Sequence, residues 1–156
     1  ASLFVHKLSG MYRYMLKNEI DTLIPLRDEL AFVGMYTDLL KVRFSCGFEV
    51  RTDVPEEFMS FQVVPCSIQM LVENALKHNR VSPGNPLYID MVAKDNRFIV
   101  TNTISPRMAS SEESTKVGLN YIRQQYIDLS GNDIEVIDDG KTYSVSLPLL
   151  PVQKTT

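Results

Sequence analysis

The chain has 156 residues, 44% of them hydrophobic and 22% charged, the balance of one folded domain with a single core. Sixteen Lys and Arg against nineteen Asp and Glu give a net charge of −3 with no strongly basic segment, which speaks against direct nucleic-acid binding. The longest uncharged run, residues 58–72, is too short to span a bilayer and contains Pro65, and the two cysteines, Cys46 and Cys66, fit neither a metal site nor a disulfide scaffold.

In chain order, Phe4, Leu8, Met11, Tyr12 and Met15 recur at helical spacing, which predicts an amphipathic helix over residues 2–17. His6 and Lys7 inside that stretch speak against a signal peptide, and a reduced cytosolic setting is expected. Asn18-Glu19-Ile20-Asp21 interrupts the pattern. Pro25 then suits a first helical turn, and Leu26, Leu30, Val33, Tyr36 and Leu40 mark a second helix that stops near Phe44. Alternation over Phe48–Val54 predicts a strand, and Pro55-Glu56-Glu57 leads into a second short strand at Phe58–Val64. A helix from Cys66 to about Arg80 follows Pro65. After the loop Ser82-Pro83-Gly84-Asn85-Pro86, residues 87–93 and 97–103 read as a hairpin about Lys94-Asp95-Asn96. Residues 104–117 lack a period and are rich in Ser and Glu, the composition of a mobile functional loop. Gly118–Ser130 returns to helix, and residues 134–137 and 143–149 close a second hairpin about Asp138-Asp139-Gly140. The sum is an α+β, two-layer sandwich: a mixed, mostly antiparallel sheet covered by helices, preceded by a helical segment.

The helix 66–80 carries the chemistry. At about 100° per residue, Ile68, Leu71, Val72 and Ala75 share the side that packs on the sheet, while Glu73, Asn74 and Lys77 fall on the other. An amide oxygen is a hard ligand for Mg²⁺, an ammonium meets phosphate charge, and a carboxylate accepts a proton or orients water. The same three residues also fit a solvated face with a Glu73–Lys77 pair at i,i+4.

The stretch Leu71–Asn79, "LVENALKHN", resembles the N-box of the GHKL ATPases, and its form is most similar to the sensor histidine kinases of the autolysin-regulator, LytS/YehU-like class. Pro25–Phe44, "PLRDELAFVGMYTDLLKVRF", is similar to the helix that precedes the ATP-binding domain in that class. Ser114–Arg123, "STKVGLNYIR", resembles the G2 box that ends the ATP lid, and Gly140–Pro148, "GKTYSVSLP", the closing strand. Lys7–Leu16, "KLSGMYRYML", matches the end of the dimerisation and phosphotransfer segment. The resemblance implies a Bergerat-type ATP-binding fold at 25–150, the tail of the dimerisation region at 1–24 and a short C-terminal tail at 151–156. It implies Mg²⁺ and ATP as cofactors, with Asn74 the Mg²⁺ ligand, Glu73 the acidic residue beside the reaction, and Lys77 facing phosphate. His78 takes the position of an adenine-stacking aromatic or simply caps the helix, and Thr142 matches the threonine that holds the adenine edge. Gly118 and Leu119 match the end of G2, where backbone N–H groups at a helix start meet phosphate.

Two positions depart from the pattern. Asn102 stands where the G1 aspartate accepts from the adenine amino group, and an amide oxygen accepts without charge assistance. Lys116 stands at the first G2 glycine, where a β-carbon hinders close backbone approach and an ammonium offers a direct contact. His6 lacks the surroundings of a phosphoacceptor, so the expected histidine lies outside this chain, which is then inactive alone. The resemblance further implies a homodimer through the dimerisation helices, a response regulator of the LytTR kind as partner, and a cytoplasmic domain of an inner-membrane sensor. The altered boxes leave a second reading open, a degenerate domain used for dimerisation or regulator docking.

Overall fold

The computed structural model describes residues 22–44, 47–105 and 112–152. The expected helix 2–17, the Lys7–Leu16 match, His6 and Cys46 lie outside them. The elements are β1 (Ile24–Pro25), α1 (Leu26–Phe44), β2 (Phe48–Asp53), a 3₁₀ turn (Glu56–Phe58), β3 (Gln62–Val63), α2 (Ser67–His78), β4 (Leu87–Lys94), β5 (Arg97–Thr103), α3 (Glu112–Ser130), β6 (Glu135–Asp138) and β7 (Thr142–Pro148). Five strands form one sheet in the order β2-β4-β5-β7-β6, with β2 and β4 parallel and every other pair antiparallel. β1 and β3 form a separate two-stranded ribbon.

Burial alternates residue by residue along β4 and β5, so Ile89, Met91, Phe98 and Val100 point to one face with Val145 and Leu147 of β7. That face packs on Ile68, Leu71, Val72 and Ala75 of α2 and on Ile122 and Tyr126 of α3, in one core. The α2 side expected to pack is thus the side that does. The hairpin β4–β5 closes through Asp95 and Asn96 at φ of 53° and 57°, the left-handed pair of a type I′ turn.

Both ends of α1 suit its dipole, with Asp28 and Glu29 in the first turn and Lys41 and Arg43 in the last. Its first N–H groups, on Leu26 and Arg27, donate to the carbonyls of Phe61 and Met59 at 2.7 and 3.0 Å. Glu29, fully buried, reaches from α1 to the start of α2 and accepts from the N–H groups of Cys66 (2.9 Å) and Ile68 (3.1 Å). Cys66 precedes α2 in the left-handed region, at φ 65°. Burial first, and the Glu29 carboxylate second, push its thiol up to about 11.

Three expectations change. Pro25 ends β1 and lies just before α1, not in its first turn. Only Gln62–Val63 of the expected strand 58–64 pairs, because Phe58 and Met59 turn back onto the carbonyls of Pro55 and Glu56 and Phe58 stacks edge-on against Phe61 at 5.3 Å. The expected loop 104–117 is helical from Glu112, so Gly118 sits inside α3 rather than opening it. A helix-interior glycine costs about 1 kcal/mol relative to alanine, and the buried anchors Ile122 and Tyr126 further along α3 override it.

Candidate nucleotide site

A cavity of about 480 Å³ opens between α2, α3 and the sheet. Its apolar walls come from Leu71 and Ala75 of α2, Val100 of β5, Leu119 of α3 and Val145 of β7. Its polar groups are Asn74, His78 and Asn79 from the end of α2, Asn102 from β5, Lys116 from α3, Asp138 from β6 and Tyr143 from β7. A cleft that is largely apolar with a few convergent polar groups has the composition of a small-molecule site.

The end of α2 is held against the exit of β5. Asn79 donates to the Ala75 carbonyl at 2.8 Å and accepts from the Ser105 N–H at 2.7 Å, while the Arg80 N–H donates to the Ser105 carbonyl at 2.7 Å. Both ends of that amide are used by the fold. Asn74 differs. Its Nδ2 is buried without a hydrogen-bond partner, the only such side-chain atom among the described residues. Buried polar groups are nearly always satisfied, so this orphan on a cavity wall stands out as a donor that the fold leaves unused. A β-carbon on Gly118 would lie 3.9 Å from that Nδ2 and 3.8 Å from Met70, ordinary contact distances, so α3 runs close beside the amide.

Of the expected residues, Asn74, His78, Asn102, Lys116 and Leu119 line the cavity, and Gly118 stands beside Asn74. Glu73 and Lys77 are exposed and outside the walls, and Glu73 accepts from Gln69 at 3.0 Å. Asn102 is 6% exposed, and its Nδ2 donates to the Thr103 carbonyl at 2.8 Å. Thr142 pairs across the sheet with Thr103 and binds the Asp139 carboxylate through N–H and hydroxyl. Its neighbour Tyr143, opposite Asn102, is the residue on the cavity wall. The alternation Tyr143, Val145, Leu147 carried that signal in the sequence. Asp138 and Asn79 were not singled out, since an acidic turn and a helix end look alike in many chains. Burial, then the Asp138 charge, raise the Tyr143 phenol above its ordinary value, and Arg123 partly offsets them.

Residues 1–48 match the family model described as histidine kinase. The sensor protein LytS of Enterococcus faecalis is 28% identical over 88% of this chain and 26% of its own length. LytS of Bacillus cereus is 39% identical over 46% of this chain and 12% of its length. The sensor protein kinase HptS of Staphylococcus aureus (strain USA300) is 28% identical over 80% of this chain and 23% of its length. The cytoplasmic segment of histidine kinase QseC superposes with a TM-score of 0.58 at 14% identity, over 95% of this chain and 94% of that one. The catalytic domain of histidine kinase ThkA, in a nucleotide-free form, gives 0.58 at 17% identity over 81% and 94%. The chain is thus similar to sensor histidine kinases in sequence, and its fold is that of histidine kinase catalytic domains. The chain spans about a quarter or less of the curated relatives it matches. In this fold, Asn102 on the sheet and Asn74 on α2 line the same cavity. Among the described residues no helix is long and apolar enough to cross a membrane.

Proposed function

We propose that the cavity binds Mg-ATP and that the domain transfers the γ-phosphoryl group to a histidine on dimerisation helices outside the described residues. The unpartnered amide of Asn74 carries this reading. It is a polar group that the fold leaves unused, on the wall of an otherwise apolar cleft. The unpaired Nδ2 is a donor that suits a phosphate oxygen, while the Oδ1 of the same amide is the hard ligand that would hold Mg²⁺, which when bound neutralises phosphate charge. The apolar walls at Leu71, Ala75, Val100 and Leu119 exclude water and accept a flat base, with His78 beside them. Lys116 on α3 supplies a cation at the cavity, and Lys77 a second on the open side of α2. Glu73 lies on that open side, toward an incoming acceptor imidazole, and its role is to take the proton as the phosphoryl group arrives. Positioning and charge neutralisation carry most of such a transfer.

In the whole protein, residues 1–24 end the dimerisation region, 25–150 form the ATP-binding unit and 151–156 are a tail. The protein works as a homodimer on the cytoplasmic side of the inner membrane. It passes the phosphoryl group to a response regulator of the LytTR kind. Calorimetric titration with a non-hydrolysable ATP analogue tests the core of this reading. Binding that needs Mg²⁺ and disappears in Asn74→Ala supports it; no binding at millimolar nucleotide refutes it. That second outcome favours a degenerate domain for dimerisation or regulator docking, a reading motivated by Asn102, whose amide lacks the charge of the usual aspartate and already donates to Thr103.

A further inference from the structure

The sheet side of the cavity is a single cross-strand row. Ile89 of β4 pairs with Asn102 of β5, Asn102 with Tyr143 of β7, and Tyr143 with Asp138 of β6. Residues directly opposite on neighbouring strands share a face, and strands lie about 4.8 Å apart. Asn102 and Asp138 therefore flank Tyr143 at its two sides, about 10 Å apart from backbone to backbone. Three members of the row, Asn102, Tyr143 and Asp138, line the cavity. Asp138 is the only carboxylate on that wall among the described residues. One of its oxygens accepts from the Gly140 N–H at 2.9 Å, within a turn where Gly140 sits at φ 84°. That bond fixes the carboxylate at the end of the hairpin and leaves its second oxygen for another donor. Asn102 spends one of its two Nδ2 hydrogens on the Thr103 carbonyl and keeps its oxygen as an acceptor for a ligand. Across the ring of Tyr143, the row thus presents acceptors at both sides.

On the reading that the cavity binds a nucleotide, we infer that Asp138 is a specificity-determining residue for the base: its carboxylate accepts from an exocyclic amino group and supplies the charge assistance that Asn102 lacks. An acceptor-only group rewards an amino group and penalises a carbonyl oxygen at the same position, whose lone pairs it would face. The preference of this site for an aminopurine would therefore rest on the edge strand β6 as well as on β5.

Mg-ATP and Mg-ITP differ in having an amino group or an oxygen at one ring position, so they probe this directly. Their dissociation constants are measured by calorimetry on the full 156-residue chain and on its Asp138→Asn variant, with thermal denaturation as a check of folding. Asparagine keeps the oxygen that accepts from Gly140. The expected result is an Asp138→Asn loss of about tenfold or more in ATP affinity, the scale of a hydrogen bond to a charged group. ITP affinity is expected to hold or rise, so the ratio between the two collapses. Unchanged ATP affinity, or an equal loss for both nucleotides, overturns the role of Asp138 while nucleotide binding stands. A folded parent chain that binds neither nucleotide overturns the underlying reading and this inference together.

Discussion

The start of α2 and its cavity-facing stretch at Asn74 are built on opposite terms. At the start the polar groups are tied to one another. Glu29 takes the N–H groups of Cys66 and Ile68, Ser67 donates to the Val64 carbonyl at 2.7 Å, and the Tyr126 hydroxyl bonds Ser67 and the Val64 N–H at 2.9 and 3.3 Å. Two turns later, Asn74 leaves a buried amide nitrogen with none. Leaving a buried donor unmade costs about 1–3 kcal/mol, so the helix is secured at its start and holds an unmet group where it faces the cavity. On one element of twelve residues, the difference separates residues that keep the fold from the residue proposed to meet a ligand.

Replacing Glu29 with alanine breaks the secured end and gives the largest effect. Two buried N–H groups lose their acceptor, and a loss of about 3 kcal/mol or more is expected in chemical denaturation. Glu29→Gln, which keeps one acceptor oxygen, should lose less. If Glu29→Ala unfolds at the same denaturant concentration as the parent, the contrast between the start of α2 and Asn74 is wrong.

Asn74→Leu sharpens the contrast from the other side. Removing an unpaired buried amide should leave stability within about 1 kcal/mol of the parent, or raise it, because no hydrogen bond is lost. Nucleotide binding should disappear in the same variant. A Tm drop as large as that of Glu29→Ala would make Asn74 a structural residue instead.

Tyr126→Phe removes one hydroxyl and is expected to cost about 1–2 kcal/mol at neutral pH, less than Glu29→Ala and with nucleotide binding kept. Burial holds the Tyr126 phenol well above its ordinary value of 10.0, with Ser67 and Val64 offsetting part of the rise. The folded chain therefore keeps a proton that the unfolded chain releases. The stability it contributes is complete below about pH 10 and falls as pH rises further. Denaturation curves at pH 8 and pH 11 should show a decline in the parent that shrinks in Tyr126→Phe.

Much of this architecture is legible in the residues. The 3.6-residue period marks α2 and α1, and strict alternation marks β4, β5 and β7, because each of these buries one face only. What the residues hide is pairing at a distance. Glu29 looks like a surface acid in a first helical turn, and nothing local says that it spans to Cys66 and Ile68, nearly forty positions away. Phe58 and Phe61 look like strand residues, yet they serve a turn. In the cavity, Asn74 stands out because the words around it resemble a known motif. Tyr143 was concealed by the adjacent Thr142, which fits the motif's letters but falls on the other face of the pleat. Asp138 becomes visible only once β6 is laid beside β7 in register.

The root of α1 has a mechanical consequence. Its first two N–H groups are fastened to residues 59 and 61, its Glu29 to the start of α2, and Arg27 pairs with Glu56. Its base and the threshold of α2 are therefore one joint. From that joint, nineteen helical residues extend about 28 Å as an arm. Leu30, Val33, Tyr36 and Leu40 seat that arm on the core that α2 shares, so α1 and α2, which carries Asn74, are bound together along the helix as well as at its base.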